Sequence, residues 1–352
     1  MSDDLRVGLV GYGLAGSTFH APLIAATPGL RLTTVVTASP QRQADVRTRH
    51  TGAAVVPSAA ELWARARDHD LVVVAAPNAV HADLARAALA HGLPVVADKP
   101  LAVTAAEGRR VVADADARGL LLTVFQNRRW DSDQLTLRRL LAEGEFGPVH
   151  RHESRFERWR PEIASTKWRE RLPAAQGGGA LLDLGSHLVD QAVQLFGPVR
   201  TVYAEVAARR GAADDDAFLA LTHVGEVRSH LSLGAVAAAP GPRLRVLGAR
   251  GAYVVDGLDG QEDALRAGRR PDESSPWGVE PPQRWGRLLR GEVAAPVPSE
   301  RGRWDLFYPA LARAVRDGGP PPVDPRDAIG VLEVLEAART SATEARVVEL
   351  PG

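Results

Sequence analysis

An apolar run, Leu5–Val10, leads directly into Gly11-Tyr12-Gly13-Leu14-Ala15-Gly16 and then into a stretch with helical spacing, Ala15–Ala26. Few local patterns restrict a fold more. In G-x-G-x-x-G the first glycine permits a tight turn and the second lets the backbone approach a pyrophosphate. The third brings strand and helix together, with the helix N-terminus facing the anion. Placed between a strand and a helix, Gly11, Gly13, Leu14, Ala15 and Gly16 are candidate dinucleotide contacts. The plainer reading is an ordinary Gly-rich turn.

The alternation of strand and helix then repeats along the chain. Leu32–Thr37 reads as a second strand, Gln41–Arg49 as a polar helix, and Leu71–Ala76 as a strand apolar on both faces. Helices at Val80–His91 and Ala105–Arg118 bracket a strand at Pro94–Ala97, and Leu120–Phe125 closes the series. This predicts, for residues 1–125, a Rossmann-type doubly wound parallel sheet with right-handed connections and ligands at the carboxyl ends of the strands. The acid that would hold a ribose diol is expected about 20 residues past the glycines. That place reads Val36-Thr37-Ala38-Ser39-Pro40-Gln41-Arg42, with no acid. Thr37, Ser39 and Arg42 would welcome a 2′-phosphate, which favours NADP(H) over NAD(H). Arg42 as a solvated helix residue is the alternative.

After Gln126 the pattern changes, and a chain of 352 residues favours two domains. Residues 126–352 are expected to form an α/β domain with a large, mostly antiparallel open sheet. A helix at Asp133–Glu143 precedes period-two segments at Val149–Phe156, Thr201–Ala208, Phe218–His223, Arg228–Leu233, Leu244–Leu247 and Ala252–Val255. One strong helix is predicted over Ala180–Phe196, stopped at Gly197-Pro198, and two late ones over Asp305–Asp317 and Asp327–Ala345. Residues 257–300, rich in Pro, Gly and Arg, read as irregular loop with at most one short helix.

Composition removes several function classes. There is no cysteine, which excludes thiol nucleophiles, Cys-based zinc sites and iron–sulfur clusters. Forty-three basic residues balance 43 acidic ones, so no general field favours nucleic acid or an anionic membrane. The longest apolar run, Leu71–Pro77, is too short to span a bilayer, and the first residues carry acids where a secretory signal carries positive charge. The expectation is a soluble cytoplasmic protein with no nucleic-acid or membrane partner. His150 and His152 share a strand face, but no third ligand lies nearby in sequence, so no metal is expected. Of the 43 basic residues only Lys99 and Lys167 are lysine. Against such a bias, a retained lysine suggests a site that needs a compact ammonium on a thin stem, although chance survival explains two lysines equally well.

Lys99 lies in Ala97-Asp98-Lys99-Pro100, just past a predicted strand, and a second distinctive segment runs Gly177-Gly178-Gly179-Ala180-Leu181-Leu182-Asp183-Leu184-Gly185-Ser186-His187-Leu188-Val189-Asp190. Oxidising an alcohol needs a base for the hydroxyl proton while hydride leaves carbon. Asp183 and His187, four apart on a predicted helix, share a face; His187 suits the base, and Asp183 suits its orienting partner or a substrate acceptor. Lys99 can donate to the reacting oxygen, and Pro100 stiffens the turn that presents it. A solvated ion pair or a metal half-site are the other readings of Asp183 and His187. His20, one turn past the glycines, either touches cofactor or packs inside. Gln126-Asn127-Arg128-Arg129-Trp130-Asp131 should emerge at the sheet's carboxyl edge, where Arg128, Trp130 and Asp131 offer the mixture a polyhydroxylated ring needs. Lys167, in Thr166-Lys167-Trp168-Arg169, is a candidate to close over substrate, with a surface turn as the alternative.

The glycine fingerprint, Ala76-Pro77-Asn78 with His81, the Asp98-Lys99-Pro100 triplet and the Gly-rich loop into Asp183 and His187 together resemble the Gfo/Idh/MocA family, in its order and over nearly the whole chain. The resemblance implies hydride exchange between a nicotinamide cofactor and a hydroxyl-bearing carbon of a sugar or cyclitol. It also implies a dimer or tetramer built through the second sheet, with cofactor contacts from Ala76, Pro77, Asn78, His81, Asp98, Lys99 and Pro100. Asp98 departs from the family, which more often has Glu there. Residues 126–131 and 165–170, with Ser17-Thr18-Phe19-His20, most resemble the branch of NADP-using scyllo-inositol dehydrogenases. Two alternatives stay open: a reductase of another carbonyl or of a nucleotide-linked sugar, and an NADP(H)-binding sensor that does no chemistry.

Overall fold

The computed structural model describes residues 4–163, 168–271 and 276–351, so Lys167 lies outside the described residues. The backbone divides into two compact units. One comprises residues up to 126 with 262–277 and 305–329; the other comprises 127–261, 278–304 and 330 onward.

In the first unit, strands β1 (Leu5–Val10), β2 (Leu30–Val36), β3 (Ala54–Val56), β4 (Leu71–Val74), β5 (Val95–Asp98) and β6 (Leu122–Phe125) form a parallel sheet in the order β3-β2-β1-β4-β5-β6. This is the order of doubly wound dinucleotide-binding sheets, in which the crevice lies where the winding reverses, here between β1 and β4. The apolar run of β4 is the centre: Leu71, Val72, Val73 and Val74 have no exposed surface. Full burial of such side chains contributes roughly 1.5–3 kcal/mol each. Helices α1 (Ala21–Ala25), α2 (Pro40–Arg49), α3 (Ala59–Trp63), α4 (His81–Ala90) and α5 (Ala105–Arg118) alternate with the strands. Their ends are written in the sequence. Ser39 and Pro40 start α2; Thr104 and Glu107 form a reciprocal cap on α5, which stops at Gly119 in the left-handed region (φ 63°). Helix α1 is preceded by a π-helical turn at Ala15–His20, so the segment expected as one helix has two geometries. Late residues complete the core: Phe307 meets Phe125 edge-on at 4.9 Å, and the Thr123 hydroxyl donates to Val323 O at 2.8 Å.

The second unit holds α6 (Ser132–Ala142), then α7 (Ser186–Phe196), packed on a nine-stranded sheet. Its strands are β7 (Val149–Glu157), β8 (Val199–Ala207), β9 (Asp216–His223), β10 (Arg228–Gly234), β11 (Leu244–Gly248), β12 (Ala252–Val255), β13 (Gly286–Arg290), β14 (Val293–Val297) and β15 (Val348–Glu349). The order is β14-β13-β12-β11-β7-β10-β9-β8-β15, antiparallel at each pairing except β7 with β10. Strand β9 buries every second residue, the signature of one covered face. The remaining α-helices among the described residues are α8 (Gln261–Arg266), α9 (Phe307–Asp317) and α10 (Pro325–Glu344).

Two expectations need correction. Residues 257–300 are not an irregular loop: they contain α8 and the β13–β14 hairpin, which extends the sheet. The hairpin escapes a sequence reading because β14 is mostly exposed small residues and Pro296 interrupts the run. The single helix expected at Ala180–Phe196 is instead a π-helical turn, Leu181–Gly185, followed by α7. Widened turns of this kind often mark functional sites and cannot be read from helical periodicity.

Candidate active site

The three glycines of the first turn do different work. Gly11 has φ +99°, and a Cβ there would lie 2.5 Å from Ala75 O. A Cβ on Gly16 would collide with Gly11 O, whereas one on Gly13 would meet nothing within 4 Å. Gly11 and Gly16 are therefore required by the fold itself, while Gly13 opens its backbone onto unfilled space. That is the shape of a cradle for a dinucleotide pyrophosphate, and a bound cofactor fits these residues. Leu14 is exposed and Ala15 buried at the start of the helix. At the end of β2, Thr37 is buried and its carbonyl accepts from Gln43 Nε2 at 2.9 Å. Ser39 Oγ caps α2 by accepting from Arg42 N at 3.5 Å, and the Arg42 side chain is exposed.

The loops after β4 and β5 are tied together by one ring. His81 is fully buried, with Nε2 2.7 Å from Ala76 O and Nδ1 2.7 Å from Pro100 O, so it joins the Ala76-Pro77-Asn78 loop to the Lys99-Pro100 turn. Asn78 is buried and Pro77 exposed; the Lys99–Pro100 peptide is cis and Lys99 is half-buried. Asp98, 5% exposed, turns inward: Oδ1 accepts from Lys99 N at 2.9 Å and faces His20 Nε2 at 3.7 Å. Burial alone would raise its pKa. The facing His20, with Lys99 and His81 behind it, more than reverses that and holds the carboxyl below its ordinary range.

In the second unit, Asp214 organises the Gly-rich loop. Its carbonyl accepts from Ala180 N and its Oδ1 from Leu181 N, each at 2.7 Å, and Arg339 donates to Oδ2 at 2.9 Å. Gly179 (φ +93°) leaves room for that carboxylate, because a Cβ there would overlap it. The loop thus delivers Asp183 and His187 from opposite sides of the π-turn boundary. Asp183 is partly exposed and pairs with Arg169 Nε at 3.3 Å, while Arg169 stacks on Trp168, 4.4 Å from the ring centre. His187 is buried, with its ring edge-on to Phe156 at 6.2 Å. Asp190, one turn on, is bound two-pronged by Arg129 at 2.9 and 2.5 Å.

Phe156 is the centre around which the polar groups arrange. The Arg128 and Arg243 guanidinium groups lie 5.0 and 4.3 Å from its ring centre, and Gln191 links them by donating to Arg128 O and accepting from Arg243. Of the expected substrate contacts, Asp131 has no exposed surface: one oxygen accepts from Trp304 Nε1 at 2.8 Å and the other from Arg128 at 3.2 Å. Burial, reinforced by Asp259 and Asp133 against the opposing Arg128, pushes the Asp131 carboxyl well above the ordinary range. Burial likewise raises Asp259 to about 6. Trp130 is half-buried, and its carbonyl accepts from Arg303 N at 2.8 Å. Asp131 therefore holds Arg128 in place from inside the unit.

Sequence reasoning missed Phe156, Arg169, Arg243 and Tyr308. Phe156, Arg243 and Tyr308 lie far along the chain from the groups they serve, and Arg169, 14 residues before Asp183, stands in a segment read only for its lysine. A lone aromatic in a period-two strand, such as Phe156, reads only as core.

A sheet of this order carrying an open Gly13 cradle defines a dinucleotide-binding protein. Residues 5–126 match the model of the oxidoreductase family with NAD-binding Rossmann fold, and residues 134–254 match the GFO/IDH/MocA C-terminal domain. The chain belongs to the Gfo/Idh/MocA family. It is 36% identical, over 99% of its length and 96% of the relative's, to IolW of Bacillus subtilis, a scyllo-inositol 2-dehydrogenase (NADP(+)). It is 41% identical to the oxidoreductase YdgJ of Escherichia coli, covering 97% of each chain. The solved structure of the oxidoreductase yvaA of Bacillus subtilis superposes with a TM-score of 0.91 at 34% identity, over 100% of this chain and 99% of that one. Among the described residues no helix is long and apolar enough to cross a membrane.

Proposed function

We propose that this protein is an NADP(H)-dependent dehydrogenase acting on a secondary hydroxyl of a sugar or cyclitol. The observation that carries the reading is the full-length likeness to an NADP(+)-dependent scyllo-inositol 2-dehydrogenase in a chain that has Lys99, Asp183 and His187 together. Gly11 to Gly16 and the loops at Ala76–Asn78 and Asp98–Pro100 would hold the cofactor. A bound nicotinamide supplies the hydride acceptor or donor. Lys99 donates to the reacting oxygen and favours its alkoxide character, and His187 takes the hydroxyl proton on oxidation and returns it on reduction. Asp183, paired with Arg169, orients His187 or accepts from a neighbouring substrate hydroxyl. Arg128 and Trp130 supply a donor and an apolar ring face to the polyol.

The absence of an acid at the end of β2 and the exposed Arg42 beside Ser39 support NADP(H) over NAD(H). The nine-stranded sheet is proposed as the surface through which a dimer or tetramer forms. Lys99→Ala tests the chemistry: turnover is expected to fall by about 10²- to 10³-fold while NADPH binding stays within a few-fold, since one preorganised donor is worth about 2.7–4 kcal/mol in the transition state. Undiminished turnover would remove Lys99 from the reaction.

A further inference from the structure

One buried polar chain in the first unit runs from Tyr308 and His20, which have no part in the function proposed above, to Asp98 in the cofactor loop. His20 has no exposed surface, Tyr308 is 1% exposed and Asp98 5%. His20 Nδ1 lies 2.6 Å from the Tyr308 hydroxyl, Nε2 faces Asp98 Oδ1 at 3.7 Å, and that same oxygen accepts the Lys99 backbone N–H at 2.9 Å. The ring cannot turn away, because Phe125 covers it at 4.5 Å and Phe125 is held in turn by Phe307 at 4.9 Å. An ionised carboxylate only accepts, so the ring hydrogen belongs on Nε2, where it faces Asp98. In that tautomer Nδ1 is the acceptor, and the Tyr308 hydroxyl is its donor. Burial, with Asp98 nearby, pushes the Tyr308 hydroxyl well above its ordinary value and keeps it a donor.

We propose that Tyr308, His20 and Asp98 form a positioning relay in which the Tyr308 hydroxyl donates to His20 Nδ1 and the ring so fixed turns its Nε2–H toward the Asp98 carboxylate, an electrostatic contact at 3.7 Å rather than a hydrogen bond, steadying the carboxylate that accepts the main-chain N–H of Lys99. Tyr308 and His20 touch neither substrate nor cofactor in this scheme; they act on the reaction through Asp98 and the turn that presents the lysine. The element that carries Tyr308 is about 200 residues beyond the turn it steadies, so the late helix α9 is part of the catalytic support as well as of the core. The kinetic part of the inference rests on the dehydrogenase reading; the structural part does not.

The chain has two lysines, which makes the test direct. Selective isotopic labelling of lysine in the full-length protein gives two backbone amide signals, and Lys99→Arg identifies which belongs to Lys99. Tyr308→Phe keeps the ring and removes only the hydroxyl. It is expected to shift the Lys99 amide signal and leave that of Lys167 in place. In turnover it is expected to lower kcat about five- to tenfold, the worth of one ordinary hydrogen bond, with KM for the cofactor within about twofold. A residue that merely supports the core would lower Tm without moving kcat. An unmoved Lys99 amide, or imidazole nitrogen signals placing the His20 hydrogen on Nδ1, would overturn the relay whether or not a substrate is known. A shifted amide with unchanged kcat on an active substrate would overturn the kinetic role alone. A shifted amide in a protein that turns over no sugar or cyclitol would support the relay and count against the dehydrogenase reading.

Discussion

Gly13 and Gly16 stand three positions apart in one turn under opposite constraints. A methyl group on Gly16 has nowhere to go but into the Gly11 carbonyl, while one on Gly13 points into open space. Gly16→Ala is therefore expected to destabilise the protein by roughly 1–3 kcal/mol, the cost of overpacking. Gly13→Ala should change stability by less than about 1 kcal/mol but lose most NADPH affinity, because the new methyl fills the cradle. Urea unfolding and NADPH fluorescence on the two variants separate these effects; a Gly13→Ala protein that binds NADPH normally would place the pyrophosphate elsewhere. Arg42 is judged at the same scale. If its guanidinium meets the 2′-phosphate, Arg42→Ala should weaken NADPH about tenfold or more and NADH little, the difference being one charge-assisted contact of roughly 1.5–3 kcal/mol. Equal losses for both cofactors would make Arg42 a solvated helix residue.

At the scale of elements, the glycine turn, its strand and the helices with explicit caps are legible in the sequence because their information is local. Strand β4 reads from four consecutive apolar residues, and α5 from Thr104, Glu107 and Gly119. What is not legible depends on partners distant in sequence. Strand β3 has three residues and the β13–β14 hairpin lies in an Arg- and Pro-rich stretch, so neither accumulates a period; both exist because a neighbouring strand offers an edge. The site divides the same way. Lys99, Asp183 and His187 stand out by residue type and motif, whereas Phe156, Arg243 and Tyr308 gain meaning only after folding. The π-turn at Leu181–Gly185 shows the limit of spacing arguments, because four residues there do not make one helical turn.

A buried chain across strands β7, β9 and β10 gives the second sheet its own pH response. Ser229 Oγ lies 3.1 Å from His152 Nδ1 and 2.8 Å from His223 Nε2, and His223 Nδ1 donates to Gly197 O at 2.7 Å. Burial first, then the charges of His223 and Arg243, pushes His152 down to about 3; burial also lowers His223. A histidine whose folded pKa is depressed stabilises fully above its unfolded value, near 6.5, and that contribution is lost as pH falls toward the folded value. Each pH unit lost below about 6.5 costs about 1.4 kcal/mol per such group. His152→Gln should flatten the fall in stability between about pH 6 and pH 4 by roughly one proton's worth, read from urea unfolding at several pH values. Parallel curves for variant and parent would mean that His152 is already protonated in the folded sheet.

For the whole molecule, the family assignment and the Gly13 cradle make one general demand: a nicotinamide dinucleotide must bind the folded chain and stabilise it. At a free concentration of about 100 times Kd the gain is about 2.7 kcal/mol, visible as a rise in Tm. NADPH should produce the larger rise and NADH the smaller. Binding alone does not separate a dehydrogenase from a sensor, and catalysis does. The most direct test follows the near-ultraviolet absorbance of reduced nicotinamide while the protein and its Lys99→Ala variant meet NADP+ with inositols, hexoses and sugar acids, and NADPH with the matching ketones. The expected result is cofactor turnover with one cluster of related polyols, lost in Lys99→Ala although the variant still binds NADPH. Firm NADPH binding with no turnover in either direction across the panel would contradict the account and favour a protein that holds the cofactor without using it.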